Sequence, residues 1–473
     1  MLEEKLDSVV DDLLNFVLKK PNVRQAEAFA SISFASIFRI AYHSKIASNG
    51  VEEAKLLESK GISLRVLFDD GSYGFGSCDN GFSRHEFEEA YQKALKSKVK
   101  DLDFHSLPEP KGKSKFKPLI DSKIKKFDAQ AMAKNAWSVL DGAIEEAKHE
   151  SMFNITGELD TFFSSFCVMN SNGIKAKEQN TGFDCSITSN IESESVSSGT
   201  SFASGNSFEN FNIRKIGAES MQKALASKNP KHVESGKHKV LLSELVVAEL
   251  FNSRFDVYLS SLDLGVSPFS DLVDKKVASE NFSVLDDPFY VDSYNSTGLT
   301  DEGNPSGRVE IIKNGVFQNF LSNDYFFKKR KEYEKFQPLN GYRTNRSYSS
   351  EVSIMGRNFV VSKGDFSEEE LLKEVNNGIY IGRIWYTYPI NGSTSFDYSS
   401  TIRSDSFIIE NGEISCALLP NSVRIIDSFS NFMKNIVALG KNLRQAHSWA
   451  QDELVITPKI CLNEMNLKRI RNI

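Results

Sequence analysis

The sequence predicts an α+β protein in two parts: an N-terminal region that mixes helices with sheet, and a C-terminal domain built on a large antiparallel, barrel-like β structure with a few helices. Three observations lead there. The 473 residues exceed the roughly 250–300 that one hydrophobic core supports. Apolar residues at helical spacing alternate with strand-like segments over the first half. Beyond about residue 236, short β-rich runs separated by turns dominate. With 40% apolar and 25% charged residues, the composition is that of an ordinary globular protein. The charge, 57 basic against 63 acidic side chains, is −6 and has no basic tail, which argues against binding driven by nucleic-acid phosphates. Five scattered cysteines with no Cys-x-x-Cys pair indicate a reducing compartment without a disulfide frame.

Leu2, Leu6, Val9, Val10, Leu13, Leu14, Val17 and Leu18 repeat at helical spacing between acids, so an amphipathic helix runs up to Pro21. The acids break any signal-peptide core, and no uncharged apolar run of about 18 residues occurs, so a cytosolic protein without membrane spans is expected. Residues 28–41 are rich in apolar and small residues with partial alternation, and 62–76 read as two strands. The two flank Asp70-Gly71, a strong hairpin signal. Ser83 and Glu86 are spaced as a capping box for a helix to about Lys98. Prolines and lysines over 100–127 read as a linker or surface loop. A helix over 129–148, a strand to Met169, a turn at 170–173, strands to about Ser198 and a helix over 213–227 follow. Residues 193–206, nearly all Ser, Gly and small residues, read as an exposed or mobile loop.

The first region therefore spans 1–227, divisible into 1–100 and 115–227. A polar connector, 228–238, leads into the second, 236–473. That second region carries an internal echo: Ile311-Ile312-Lys313-Asn314-Gly315 and Ile408-Ile409-Glu410-Asn411-Gly412, 97 positions apart. Each Asn-Gly selects a type I′ hairpin, because both central residues need positive φ. Helices are expected at about 244–255, 367–376 and 429–439.

These pieces resemble the TldD/PmbA family. Gly61 to Ser77 looks like its N-terminal hairpin, Val168-Met-Asn-Ser-Asn-Gly173 like its middle segment, and Ser235-Gly236 before Val240-Leu-Leu like its domain junction. Thr297 to Gly303, Ile312 to Leu321, Phe366 to Leu372 with Gly378-Ile-Tyr-Ile-Gly382, and Phe407 to Ile414 follow in the family's order. The resemblance implies a cytosolic metallopeptidase system acting on unfolded or modified peptides, in which a TldD-like subunit carries zinc and a PmbA-like (TldE-like) one does not. It also implies a dimer around a peptide-accepting cleft. In the metal-bearing type, His-Glu-x-x-x-His on the first helix of the C-terminal half and a Cys near the C-terminus hold the ion, and the Glu serves as base.

Here the matching helix begins Ser243-Glu244-Leu245-Val246-Val247-Ala248-Glu249. Ser243 and Ala248 stand at the histidine positions, so no metal is expected in this chain and zinc belongs to a partner. Glu244 survives as a vestigial catalytic residue, read here as a helix N-terminal carboxylate favoured by the dipole. The expected Cys position falls within 440–452, which holds no Cys, while Cys461 reads as a small hydrophobe in an apolar strand. His447 is the only histidine near that position and is placed to approach Glu244 in the fold.

The expected role is thus a metal-free subunit that shapes the cleft beside a metal-bearing partner. Two alternatives stay open: a non-catalytic homodimer that binds peptides or proteins, of the gyrase-modulator type, or a peptidase with a relocated site using Glu244, Glu249 and His447. Among other motifs, Gly71-Ser-Tyr-Gly-Phe-Gly76 reads as a tight hairpin, not a phosphate loop. Asp286, Asp287, Asp301 and Glu302 read as solvated loop acids rather than a Ca²⁺ or Mg²⁺ cluster. Lys328-Lys329-Arg330-Lys331 reads as a solvated helix face, not a nucleic-acid contact.

Overall fold

The computed structural model describes residues 6–46, 49–192, 197–209, 211–449 and 451–470. The N-terminal elements run α1 (Leu6–Leu18), β1 (Val23–His43), β2 (Gly50–Phe68), β3 (Ser72–Asp79), α2 (Arg84–Lys96), β4 (Val99–Lys100), α3 (Ser122–Lys125), α4 (Ala129–Ala147), β5 (Phe153–Asn170), β6 (Lys175–Ile191), β7 (Ser197–Gly205) and α5 (Ile213–Ala226). The strands form one antiparallel sheet in the order β4-β3-β2-β1-β5-β6-β7. Alternation makes its two faces different. Ala26, Ala28, Ala30 and Ile32 of β1 lie under α1 and α2, and Phe38 and Ile40 join the cluster under α4 and α5. The opposite face carries Glu27, Phe29 and Ser31, and it receives the C-terminal domain.

Local signals set several boundaries as expected. Ser83 caps α2 in a capping box with Glu86, and Gly71 turns the β2–β3 hairpin at φ 77°. The glycines of β3 have a further reason: a Cβ on Gly76 would lie 2.0 Å from the Ala90 carbonyl oxygen, so only glycine lets α2 sit down on the strand.

The same physics overturns the loop expected at 193–206. Residues 193–196 lie outside the described residues, but 197–205 form β7, paired with β6 from Ile191↔Ser197 to Phe183↔Gly205 and largely buried. A Cβ on Gly199 would lie 2.2 Å from the Ser220 carbonyl oxygen of α5. Small residues here are a packing requirement of a helix lying on a strand, not a mark of solvation.

The C-terminal elements are β8 (Gly236–Leu242), α6 (Glu244–Arg254), α7 (Leu259–Asp263), β9 (Val284–Asp286), β10 (Val309–Lys313), β11 (Val316–Phe317), α8 (Asp324–Lys329), β12 (Gly341–Tyr342), β13 (Ser353–Ile354) and β14 (Asn358–Val361). They continue with α9 (Glu368–Val375), β15 (Gly378–Ile381), β16 (Ile384–Pro389), β17 (Asp397–Ile402), β18 (Phe407–Glu410), β19 (Glu413–Ala417), β20 (Val423–Ser428), α10 (Phe429–Lys434), β21 (Ile436–Leu439), β22 (Arg444–Ala446), β23 (Leu454–Thr457) and β24 (Ile460–Arg469). A nine-stranded sheet, β16-β17-β20-β24-β8-β15-β18-β19 with β21 beside β24, curls into a half-barrel. A six-stranded sheet, β11-β10-β9-β14-β23-β22, packs with it around the largest core. Most pairings are antiparallel, but β8/β15 and β14/β23 are parallel. Both Asn-Gly hairpins form with positive φ at all four central residues, and each sits in a different sheet. The expected helix over 429–439 stops at Lys434, and 436–439 is a strand.

The two parts meet across a buried ionic layer. Glu27 on β1 accepts hydrogen bonds from Arg65 Nε (2.8 Å) and from Arg343 Nη2 (3.1 Å) of the C-terminal domain. Asp301 accepts from the Arg343 amide at 2.7 Å and pairs with Arg346 Nε at 3.3 Å, while Arg346 Nη1 reaches Glu178 on β6 at 3.1 Å. Glu302 faces Arg65 at 3.8 Å. Arg343 and Arg346 lie over the rings of Phe29 and Phe166, at 4.2 and 4.8 Å. Asn345 and Arg346 take left-handed backbone, φ 52° and 51°, a strained conformation for arginine at the point where its guanidinium enters the layer.

This corrects the reading of the acids. Asp286, Asp287, Asp301 and Glu302 are buried, not solvated, and each is spent on a nearby donor. Asp286, for instance, accepts from the amides of Arg357 and Asn358 and from Asn340 Nδ2. Turn-rich sequence implied exposure, but Asp301 and Glu302 face the layer between the two parts, and Asp286 and Asp287 are held inside the C-terminal domain by the 340–358 segment and Arg308. The basic run is corrected likewise. Lys328 binds Asp324 at 2.6 Å and Ser106 at 3.1 Å, and Lys329 binds Asp263 at 2.6 Å, so the first half of the run fastens the 101–107 segment, while Arg330 and Lys331 are exposed.

Removing one member of a buried charge network leaves its partners unpaired. Glu27→Gln is therefore expected to destabilise the protein by about 3–5 kcal/mol in urea unfolding, far more than an exposed Glu→Gln change.

Candidate functional site

The helix that resembles the family's metal-binding helix is α6, and its start is fixed by Ser243. The Ser243 hydroxyl accepts from the Val246 amide at 3.3 Å as an N-cap and donates to the Gly382 carbonyl at 2.7 Å, tying α6 to the end of β15. Ser243 is 5% exposed. Five residues on, Ala248 is fully buried in the apolar core between the C-terminal sheets. Glu244 occupies the first turn of α6, where the helix dipole favours a carboxylate, and borders a groove of about 870 Å³ between the two parts of the molecule.

That groove is lined by Phe202, Glu219, Glu244, Glu368, Tyr380 and Arg444, among others. Sequence reading did not single out its main fixture. Arg444 Nη1 meets Glu219 Oε1 of α5 at 2.8 Å, and its guanidinium lies 4.2 Å from the Phe202 ring of β7. Lys223 adds a contact to Glu219 at 3.0 Å. Burial alone would raise the Glu219 carboxyl, but Lys223 and Arg444 outweigh it and hold it at about 2. A lone Arg in 440–452 and a Glu on a distant helix give no local signal of pairing.

The three residues of the relocated-site reading point to different partners. Glu244 faces the groove. Glu249 accepts from the Ser448 hydroxyl. His447 binds the Gln451 carbonyl through Nε2 at 2.7 Å and places Nδ1 3.6 Å from Asp184 on β6. Burial opposes a charged imidazole there, but Asp184 outweighs it and raises His447 above its ordinary value. Next to Asp184 across the strands, Asp160 is pushed up to about 7 by burial, with Glu158 and Asp184 adding repulsion.

Zinc takes imidazole, thiolate or carboxylate donors. Ser243 has committed its hydroxyl to the backbone, and Ala248 has no donor. Cys461 is fully buried on β24 between Leu241 and Ala438, with its thiol pushed up to about 12 by burial. Among the described residues no three His, Cys, Asp or Glu converge as metal ligands. The residues at this position do not fit the ion.

The fold and the sequence of the domains agree with known proteins. Residues 119–228 match the central domain, and 235–469 the C-terminal domain, of the PmbA/TldA metallopeptidases. The chain belongs to the TldD/PmbA family. It is 25% identical over 381 residues to a metalloprotease of Methanocaldococcus jannaschii, covering 78% of this chain and 80% of that one. A zinc metalloprotease TldD homologue of Saccharolobus solfataricus is 26% identical over 212 residues, 44% of this chain and 45% of that one. In fold, the chain is similar to TldE of Thermococcus kodakarensis, with a TM-score of 0.86, 19% identity and coverage of 97% and 100%. Among the described residues of this TldD/PmbA-family chain, no helix is long and apolar enough to cross a membrane.

Two outcomes follow. Ser243→Ala removes both a cap and a buried bond to Gly382, and is expected to lower stability by about 1–2 kcal/mol in denaturant unfolding. Asp160 holds its proton in the fold up to about pH 7, whereas the unfolded chain releases it near pH 4, so its contribution to stability falls as pH rises across that window. Asp160→Asn should therefore stabilise the protein relative to the parent increasingly from pH 4 to pH 7, read as the difference in melting temperature at each pH.

Proposed function

We propose that this chain is the metal-free subunit of a TldD/PmbA-type peptidase, working in the cytosol beside a TldD-like subunit that carries the zinc. The observation that carries this reading is the conversion of both histidine positions on α6: Ser243 has become a helix cap and Ala248 a core residue, so each is committed to folding. The chain would contribute a wall of the cleft. The groove beside Glu244 supplies charged and aromatic lining. Strand β16, which packs along α6 and, among the described residues, pairs on one side only, with β17, presents Trp385, Tyr386 and Tyr388 at a sheet edge. An extended peptide can add to such an edge through its backbone, which suits unfolded or modified peptides because main-chain pairing ignores side-chain identity. Hydrolysis would occur at the partner's ion, with no step assigned to Glu244.

The test is metal analysis and peptide hydrolysis on the purified chain, alone and co-expressed with a relative that keeps His-Glu-x-x-x-His. The expected result is no stoichiometric zinc and no turnover alone, and one zinc with turnover in the complex. Stoichiometric zinc with turnover by the chain alone would overturn the proposal. In the complex, Glu244→Gln should leave turnover within about twofold, since a vestigial carboxylate supplies no transition-state stabilisation.

A further inference from the structure

On the face of the N-terminal sheet opposite α4 and α5, one row of side chains across β1, β5, β6 and β7 reads Ile37, Asp160, Asp184 and Ser204, each directly opposite the next. Residues so placed have Cβ atoms about 4.5–5.5 Å apart, and like charges directly opposite one another destabilise a sheet. Asp160 and Asp184 are such a pair, and Glu158 adds a third acid on the same face of β5. Nearby cations do not balance them. Arg39 stands opposite the exposed Glu158, and His447 approaches Asp184, at 3.6 Å. Asp160 Oδ1 is buried and accepts no hydrogen bond among the described residues, and burial, with repulsion from Glu158 and Asp184, pushes its carboxyl up to about 7. On the other side of Asp184, Ser204 is 3% exposed, and its hydroxyl also lacks a partner among the described residues.

Aromatic rings border this row. In the next row Phe162 on β5 stands opposite Gly182 on β6, and there Tyr294 of the C-terminal domain comes down on the sheet. Its ring is edge-on to Phe162 with centroids 5.0 Å apart, and a Cβ on Gly182 would lie 2.3 Å from the Phe162 ring and 2.5 Å from Tyr294 Cβ. The His447 ring is edge-on to Tyr294 at 6.4 Å. Glu158 and Ser186, on the other side of the row, are exposed, so the acids are reached from solvent there. Ser204 also lines the groove beside Glu244.

We propose that Asp160, Asp184 and Ser204, bordered by Phe162, Tyr294 and His447, form a pocket for the ammonium group of a peptide. Two carboxylates and a hydroxyl supply acceptors for the three N–H donors of an ammonium, and charge-assisted bonds of this kind are the strong ones. Aromatic rings attract an organic cation, whereas a hard divalent ion takes roughly six to eight oxygen ligands, which rings do not provide. The ligand also accounts for the like-charge pair: the repulsion costs stability in the free chain and is relieved by the bound cation. The proposal rests on the reading of this chain as a wall of a peptide cleft and adds what that wall recognises. An N-terminal amine and a lysine side chain carry the same group, and the test separates them.

Titration calorimetry on the full chain at pH 7.5 tests it with three peptides: tetra-alanine amide, its N-acetylated form, and an N-acetylated alanine peptide amide with one lysine. The free-amine peptide is expected to bind about tenfold or more tightly than its acetylated form. If the lysine restores affinity to the acetylated peptide, the pocket takes side-chain ammonium as well; if it does not, the pocket is specific for the N-terminus. Asp160→Asn and Asp184→Asn should each remove the preference for the charged peptides. Asp160→Asn does so in a chain whose melting temperature is raised, so loss of binding there is not loss of fold. Equal affinity for all three peptides, no binding of any at millimolar concentration, or a preference that survives both Asn variants would overturn the proposal. Zinc content and turnover play no part in the assay. A chain that proves to carry zinc and hydrolyse peptides alone would sink the subunit reading and leave this binding result standing, and the reverse holds equally.

Discussion

The buried ionic layer between the two parts of the molecule is the constraint on which the rest depends. Glu27 and Glu178 project from the open face of the N-terminal sheet, and Arg343 and Arg346 descend on them from the C-terminal domain, with Asp301 and Glu302 behind. Charges taken this far from water are tolerated only when each finds its counter-charge at hydrogen-bonding distance, so the layer admits one relative placement of the domains. That placement sets β7 and α5 against α9, β15 and β22, and the gap left between them is the groove beside Glu244. The left-handed backbone at Arg346 belongs to the same constraint, since local strain persists where surrounding contacts determine it.

Close approach of backbones is the second theme. α2 on β3 and α5 on β7 lie so near that Gly76 and Gly199 have no room for a Cβ. Glycine-rich stretches of this kind have the same composition as flexible loops, and only the helix above them distinguishes the two. The α6 position shows a related exchange. On the proposed reading, a residue type that would serve a metal is replaced at one position by a cap and at the other by core volume; Ser243 is bonded to Gly382 and Ala248 lies in the core, so neither offers a donor to an ion.

Much of the architecture was legible locally. The capping box at Ser83, the hairpins at Gly71, Gly315 and Gly412, the starts of α6 and α9 and the amphipathic α1 all depend on interactions between residues a few positions apart, and all formed. The misreadings share one cause. Residues 197–205, the four acids between Asp286 and Glu302, and the run beginning at Lys328 all looked solvated, and in each case the partner that buries or fixes them comes from elsewhere: α5, the 340–358 segment and the 101–107 segment. Arg444 was missed for the same reason, its Glu219 being 225 positions away.

The sequence alone determined the α+β class, the order of elements and the family's motifs, because each is written in residue identity or short-range periodicity. Tertiary structure decided what those residues do. It made Ser243 a tie between α6 and β15, sent His447 to Asp184 instead of Glu244, and placed the loop acids Asp301 and Glu302 in a domain interface. The physical reason is that electrostatic and packing energies depend on distance in space, and the distances that matter here join segments that the chain separates by tens to hundreds of residues.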